Sequence, residues 1–283
     1  MRTETVIAFL LAASGPAVPV PADSDATALA SRVLAEAREA IGGTARLQAV
    51  RSLSVAASFR RADADGMSFG EIEIVVAEPE RFRRIQTQEM GGGTASLSRG
   101  VVLNGEEAGY RIFGTGLKTI HQTPLSPERK TVLAAQLREE RARYLLSFLL
   151  RADSAAAYVG EAQAPDGRAD VIGFESPVSA RLFIDKKSRR PLMLSYKGQW
   201  KRAWSQKIVE DGKVRLQGGK SSSAVPSVES EVEIRFGGYK AVDGVWLPHQ
   251  ISIAVAGETV EEWELTFKVN PTPRADDFKP TAG

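Results

Sequence analysis

Apolar residues recur about every four positions near the start of the chain and every second position over much of the rest. Leu29, Val33, Ala37 and Ile41 fall on one side of a helix predicted over residues 25–41. Asp25 or Thr27 can cap its free N–H groups, and Gly42-Gly43 ends it, because glycine accepts the left-handed conformation of a helix C-terminus. A short helical turn is expected through residues 45–50. From there the period drops to two. Leu53, Val55, Ala57 and Phe59 oppose Ser52, Ser54 and Ser58, and Ile72, Ile74 and Val76 alternate with Glu71 and Glu73. Leu182 and Ile184 alternate with Arg181 and Asp185, and Leu192, Leu194 and Tyr196 follow Pro191. Val232, Ile234 and Phe236 oppose Glu229, Glu231, Glu233 and Arg235; Ile251, Ile253 and Val255 continue the pattern. Trp263, Leu265, Phe267 and Val269 close it against Glu262, Glu264 and Lys268. Such alternation predicts strands with one buried and one wet face, as in an antiparallel sheet.

The turns agree. Asn104-Gly105, Asp166-Gly167, Asp211-Gly212 and Asp243-Gly244 are dipeptides that accept the positive φ angles of tight hairpins. One helix interrupts the strands. Ser126-Pro127-Glu128 combines a capping hydroxyl, a proline whose missing N–H does no harm, and an acid at the positive end of the helix dipole. The helix should run to about Arg151, and its last part, Tyr144 to Leu150, is apolar nearly all round and must be buried. Low complexity is confined to Gly91-Gly92-Gly93 and residues 217–227, both expected as surface loops. Neither divides the pattern, so residues 23–283 are expected to form a single domain.

Residues 1–22 lie outside this pattern. Arg2 precedes an apolar stretch from Val6 to Ala13 and a Pro-rich segment ending at Ala22, the layout of a secretion signal, although Glu4 is unusual in such a leader. The apolar stretch is too short to span a bilayer, which needs ~20 residues. A soluble protein exported across the inner membrane, periplasmic and monomeric, is the expectation.

Composition narrows the chemistry. With 37 Lys+Arg against 35 Asp+Glu the formal charge is +2, which argues against binding a nucleic-acid duplex through a strong positive field. There is no cysteine, so disulfides, thiol nucleophiles and cysteine-held metals are excluded. The two histidines, His121 and His249, have no zinc-ligand spacing, and a structural or surface role is expected for both. Gly219-Lys220-Ser221 lacks the earlier glycine of a phosphate loop, since Val214 stands there. Glu71 with Glu73, and Glu229, Glu231 and Glu233, sit at strand spacing among aliphatics, the arrangement of a solvated outer face rather than of an acid–base pair. Neither a catalytic residue, a metal site nor a cofactor is predicted.

Arginine and lysine cluster at Arg60-Arg61, at Arg81 with Arg83-Arg84, and at Lys186, Lys187, Arg189 and Arg190. The last group falls in a hairpin turn, where its charges should fan into solvent as a docking patch for anionic headgroups or an acidic partner; ordinary solubilising turn residues are the alternative. Trp200 and Trp204 flank Lys201-Arg202 and suit either core packing or the rim of an acyl cavity.

Several motifs together resemble a known family. A helix ending Ala40-Ile41-Gly42-Gly43 leads into Leu47-Gln48-Ala49-Val50-Arg51-Ser52-Leu53. Gly100 to Gly105, the helix after Ser126, Leu182-Phe183-Ile184-Asp185 and Arg190-Pro191-Leu192 follow in order. Tyr239 to Pro248, then Val269-Asn270-Pro271 and Phe278-Lys279-Pro280, close the chain. This resembles the outer-membrane lipoprotein carrier superfamily, of the LolA/LolB type, over roughly residues 28–280. The resemblance implies a mainly β fold: a strongly curved antiparallel sheet forming an incomplete barrel, its concave face covered by helices. Known members hold the acyl chains of lipoproteins or lipids there.

On that basis the chain is expected to be a non-enzymatic carrier for a lipid or acylated ligand, with Leu53, Val55, Phe59, Ile72, Ile74, Leu182, Ile184 and Leu194 lining an apolar cavity. Leu145, Phe148 and Leu149 would form its lid. An envelope membrane protein or lipoprotein is a further expected partner, and nucleic acid is not. The alternative is an envelope scaffold whose cavity is filled by its own helices; a hydrolase using an unrecognised carboxylate pair is a third reading.

Overall fold

The computed structural model describes residues 23–63, 66–90, 95–115, 125–152, 155–164, 167–175, 178–200, 205–210, 213–218 and 228–280. Residues 1–22, His121, Gly91-Gly92-Gly93, Trp204 and Gly219-Lys220-Ser221 lie outside them. Two helices, α1 (Asp23–Ile41) and α2 (Thr44–Gln48), precede a first run of strands: β1 (Ser52–Asp63), β2 (Gly66–Ala77), β3 (Arg81–Met90), β4 (Ala95–Asn104) and β5 (Glu107–Thr115). Helix α3 (Pro127–Leu149) leads to β6 (Ala156–Ala164), β7 (Gly167–Phe174), β8 (Ala180–Asp185) and β9 (Pro191–Trp200). A separate hairpin of β10 (Ser205–Glu210) and β11 (Lys213–Gly218) intervenes before β12 (Val228–Val242), β13 (Val245–Val255) and β14 (Glu258–Val269).

Twelve strands form one sheet in the order β5-β4-β3-β2-β1-β14-β13-β12-β9-β8-β7-β6. Every pairing is antiparallel, and the two edge strands, β5 and β6, are adjacent in sequence but at opposite ends of the sheet. Helix α3 makes the crossing between them. The result is mainly β, an open, curved antiparallel sheet forming an incomplete barrel, with its concave face covered by helices. No helix among the described residues is long and apolar enough to cross a membrane.

Register explains why that face is apolar. Leu53, Val55, Ala57 and Phe59 of β1 pair with Val76, Ile74, Ile72 and Gly70 of β2 on one side and with Val269, Phe267, Leu265 and Trp263 of β14 on the other. Paired residues of antiparallel strands point to the same face, so the alternation in each sequence becomes one continuous apolar floor. Gly70 is needed opposite Phe59: a Cβ there would stand 2.7 Å from the Phe59 ring, which lies across it. Two of the hairpin dipeptides adopt positive φ as their chemistry predicts, Gly105 at 60° between β4 and β5, and Asp243 and Gly244 at 49° and 78° between β12 and β13. The connection between β13 and β14 uses Ala256-Gly257 with both φ positive, a turn that the dipeptide rule does not flag.

The helices seat themselves on this floor. Ala30, Val33, Leu34, Ala37 and Ile41 of α1 are buried in the common core, the four-residue recurrence having marked the buried stripe. Ser126 caps α3 by accepting from the Arg129 N–H at 3.4 Å. The helix ends at Leu149, two residues before the sequence expectation, with Leu150 left-handed at φ 50° and fully buried. Asn270 ties the start of β1 to the end of β14: its Oδ1 accepts from the Arg51 N–H at 2.7 Å and its amide donates to the Ala49 carbonyl at 3.2 Å.

Candidate functional site

The eight floor residues named from alternation come from four strands and converge. Leu53, Val55, Phe59, Ile72, Ile74, Leu182, Ile184 and Leu194 all belong to one core cluster and are at most 3% exposed. The end of α3 fills the space above them. Leu146, Phe148 and Leu149 are buried in the same cluster, while Leu145 is half-buried at its margin. A chain of rings runs from the sheet through this helix and back: Phe82 to Tyr144 at 5.9 Å, Tyr144 to Phe148 at 5.9 Å, and Phe148 edge-on to Phe267 at 5.2 Å. The floor residues and the end of α3 therefore share one packed core.

Toward β3, β4 and β5, and at the Arg61 end of β1, the same face is different. Arg84 lies opposite Ile74, pointing inward, and its Nε donates to Glu140 of α3 at 2.6 Å. The Glu140 carboxylate holds the guanidinium well above its ordinary pKa, and burial pushes the neighbouring Tyr144 hydroxyl up as well. One turn further along α3, Arg143 binds Glu139 at 2.5 Å and stacks 4.4 Å above the Tyr196 ring. Arg61 reaches the buried Glu261 at 2.8 Å, and the Trp263 indole donates to the same carboxylate at 2.6 Å. Between β1, β3, β4 and β5 this polar strip opens into a pocket of about 410 Å³ lined by Arg61, Arg84 and Arg99 with Gln86, Val101, Tyr110 and Ile112 among its walls. Ile234, Ile253 and Val101 remain half-buried above the core. The trough thus grades from dry and apolar to open and cationic, where alternation alone leads one to expect an apolar hollow throughout.

A second polar group closes the opposite side. Asp170 of β7 sits opposite Ile184 on the inner face and is 4% exposed. It accepts from the Tyr158 hydroxyl at 3.0 Å and from Arg189 at 2.8 Å, with the Lys186 ammonium at 3.5 Å. Arg189 also meets Glu36 of α1 at 3.1 Å, and Lys186 pairs with Glu161. Arg190 stacks over Trp246 at 4.0 Å and Tyr239 at 5.7 Å. The expectation that Lys186, Lys187, Arg189 and Arg190 fan into solvent is corrected here: Lys187 is exposed, whereas the other three are drawn in by Asp170, Glu161 and two rings. Asp170 stands at an inward position, and a buried carboxylate requires such partners.

The remaining candidates are dispersed. Glu71, Glu229 and Glu231 are exposed; Glu73 binds Arg83 at 2.5 Å, and Glu233, almost buried, binds Arg235 at 2.5 Å. His249 packs edge-on to Phe267 at 5.5 Å, and its Nε2 is buried with no hydrogen-bond partner among the described residues. Among the described residues no three histidine, cysteine, aspartate or glutamate side chains gather as metal ligands. On the outer face, Ser58, Glu71, Glu73, Gln250 and Glu264 border a groove of about 850 Å³, and Phe69, Arg60, Arg235 and Glu262 border another of about 680 Å³.

An open antiparallel sheet curled around its own helices, with a graded trough at its centre, defines a half-barrel fold. The solved structures to which the chain is similar include a LolA superfamily protein from Nitrosomonas europaea, at 12% identity and a TM-score of 0.48 over 88% of this chain and 97% of that one. They also include a DUF1329 family protein from Desulfovibrio piger and a lipoprotein-sorting protein domain from Vibrio parahaemolyticus. Both are 9% identical, cover 88% of this chain and 97% of theirs, and give TM-scores of 0.44 and 0.43. No protein-family model and no curated protein matches the chain. The superfamily that the sequence motifs resemble is thus among these structural neighbours, and the architecture itself rests on the strand order and register above.

Proposed function

We propose that the protein is a periplasmic binding protein or carrier for a lipid or acylated ligand, exported by a signal in residues 1–22 and acting without catalysis. The single observation that carries this reading is the gradation of the trough. An apolar floor from Leu53, Val55, Phe59, Ile72, Ile74, Leu182, Ile184 and Leu194 is bordered by half-buried Ile234, Ile253 and Val101, and Val101 also lines the open pocket. An amphiphile needs such a surface, dry for its chain and wet for its head. Each methylene buried contributes about 0.8 kcal/mol, so a long chain can be held without a specific polar contact. Leu145, Phe148 and Leu149, which pack in or against the same core, would act as the lid that a ligand displaces.

A second reading has its own support. Leu146, Phe148, Leu149 and Leu150 are all 1% exposed or less, as expected of a permanent plug in an envelope scaffold acting through protein contacts. Uptake of a fluorescent fatty acid by delipidated protein, together with native mass spectrometry of the protein from its own envelope, separates the two. Saturable uptake and co-purifying lipid are expected; absence of both would leave the scaffold.

A further inference from the structure

We propose that the pocket between β1, β3, β4 and β5 is the head-recognition end of this binding site and selects amphiphiles carrying a carboxylate or phosphate, with Arg99 as the reading residue. This rests on the functional reading above and adds the chemistry of the ligand's head. Three arginines and no acid line the pocket. Arg61 and Arg84 engage Glu261 and Glu140 through Nε, which leaves their terminal nitrogens outside these two bonds. Arg99 is exposed and forms no side-chain hydrogen bond or ion pair among the described residues. A free guanidinium beside two that are already oriented is suited to an oxyanion, which it can bind through two parallel N–H donors.

Register places that charge at the right point. Phe82, Leu103 and Ala108 form one inward rung across β3, β4 and β5 and are buried in the core. The next rung is Arg84, Val101 and Tyr110, and the next Gln86, Arg99 and Ile112. Rungs on one face are about 7 Å apart, so Arg99 stands about 14 Å along the strands from that buried rung and, through Gln86, level with Ile72 of the floor two strands away. Val101 on the intervening rung and Ile112 beside Arg99 add apolar surface there. A head held at Arg99 leaves its chain directed toward the trough.

The test uses the full chain and four probes with the same alkyl chain: palmitate, hexadecyl phosphate, hexadecanol and hexadecyltrimethylammonium, with inorganic phosphate as a fifth. Palmitate and hexadecyl phosphate are expected to bind at least about tenfold more tightly than hexadecanol, the equivalent of one charge-assisted hydrogen bond. The cationic probe should bind most weakly, and millimolar inorganic phosphate should compete poorly, because it has no chain. Arg99→Gln should abolish the preference, and Arg99→Lys should retain part of it. Equal binding of palmitate and hexadecanol, or an equal loss of both in Arg99→Gln, overturns this proposal and leaves the carrier reading intact. Inorganic phosphate that competes as well as hexadecyl phosphate overturns it in favour of a free-ion site. Failure of every alkyl probe overturns the carrier reading and this proposal together.

Discussion

Arg38 of α1 donates from both Nε and Nη2, each at 3.1 Å, to the carbonyl oxygen of Leu150 at the end of α3. That carbonyl is among the last of α3, where no intrahelical N–H remains to meet it, and burial draws the guanidinium below its ordinary pKa. The two helices that cover the trough are therefore fastened to each other where α3 enters the core. Arg38→Ala should lower stability by about 1–2 kcal/mol, since hydrogen bonds from charged donors are worth more than neutral ones but Arg38 is only half-buried. Urea midpoints would show the loss, and hydrogen exchange at residues 146–151 should rise more than in the strands. Uniform exchange across the molecule would mean that the pair does not locally fasten α3.

Phe148 and Leu145 report on whether α3 is a plug or a lid. Phe148 is 1% exposed, between the rings of Tyr144 and Phe267, and Leu145 is half-buried at the margin. For a permanent plug, Phe148→Ala should cost about 3–5 kcal/mol and leave any fatty-acid uptake unchanged. A lid that opens has a lower-cost displaced state, so the same change should cost less and accelerate uptake of a fluorescent fatty acid. Leu145→Ala should have the smaller stability effect in either case. Stopped-flow uptake rates set beside denaturation midpoints decide between them.

Much of this architecture is legible in the chain, for a physical reason that also marks where legibility stops. β1 and β14 alternate cleanly because one face meets the core and the other meets water. β3 does not: Phe82, Arg84 and Gln86 share its inward face, and Arg84 is tolerated there because α3, remote in sequence, supplies Glu140. Val75 and Ala77 break the pattern of β2 from the other side. They point outward yet are buried beneath Phe278 of a terminal 3-10 turn, Ala275–Phe278. Arg61 and Glu261 likewise give no local signal, because register between β1 and the distant β14 pairs them, and Asp170 finds its partners on β6 and in the turn between β8 and β9. The apolar floor could be read from periodicity, while the charged ends of the trough needed the fold.

Glu78 should make stability fall at acid pH. It accepts from Arg51 and, at 2.5 Å, from Arg151, which follows α3. These donors, Arg51 first, hold its carboxyl below the usual carboxylate range despite the opposing effect of burial. A depressed folded-state pKa contributes stability that is fully present above the unfolded value of about 4.3 and is lost as pH falls through the lower folded value. The contribution should be about 1 kcal/mol or less, because Arg51 is largely exposed. Urea midpoints of the native chain should thus decline below about pH 4, whereas Glu78→Gln should start lower at neutrality and decline less. Parallel profiles for the two would exclude Glu78 as a source of the acid limb.

Asp170 should be the most sensitive charge on the inner face. Its carboxylate has three described partners, the Tyr158 hydroxyl, Arg189 and Lys186, and through Arg189 it is connected to Glu36 on α1. The side chain is 6% exposed, so removing its charge would leave Arg189 without its buried counterion. Removal of one partner from a fully buried pair costs about 3–5 kcal/mol; here Arg189 and Lys186 are each about one-third exposed and can turn to water. Asp170→Asn should therefore cost about 2 kcal/mol, a discounted value. The coupling is the sharper measure. In a double-mutant cycle with Arg189→Gln, the second substitution should cost clearly less once the first is present, and Tyr158→Phe should couple to Asp170 in the same direction. Additive costs would mean that Asp170 acts through its own desolvation alone and that the β8–β9 turn is not held to the sheet by charge.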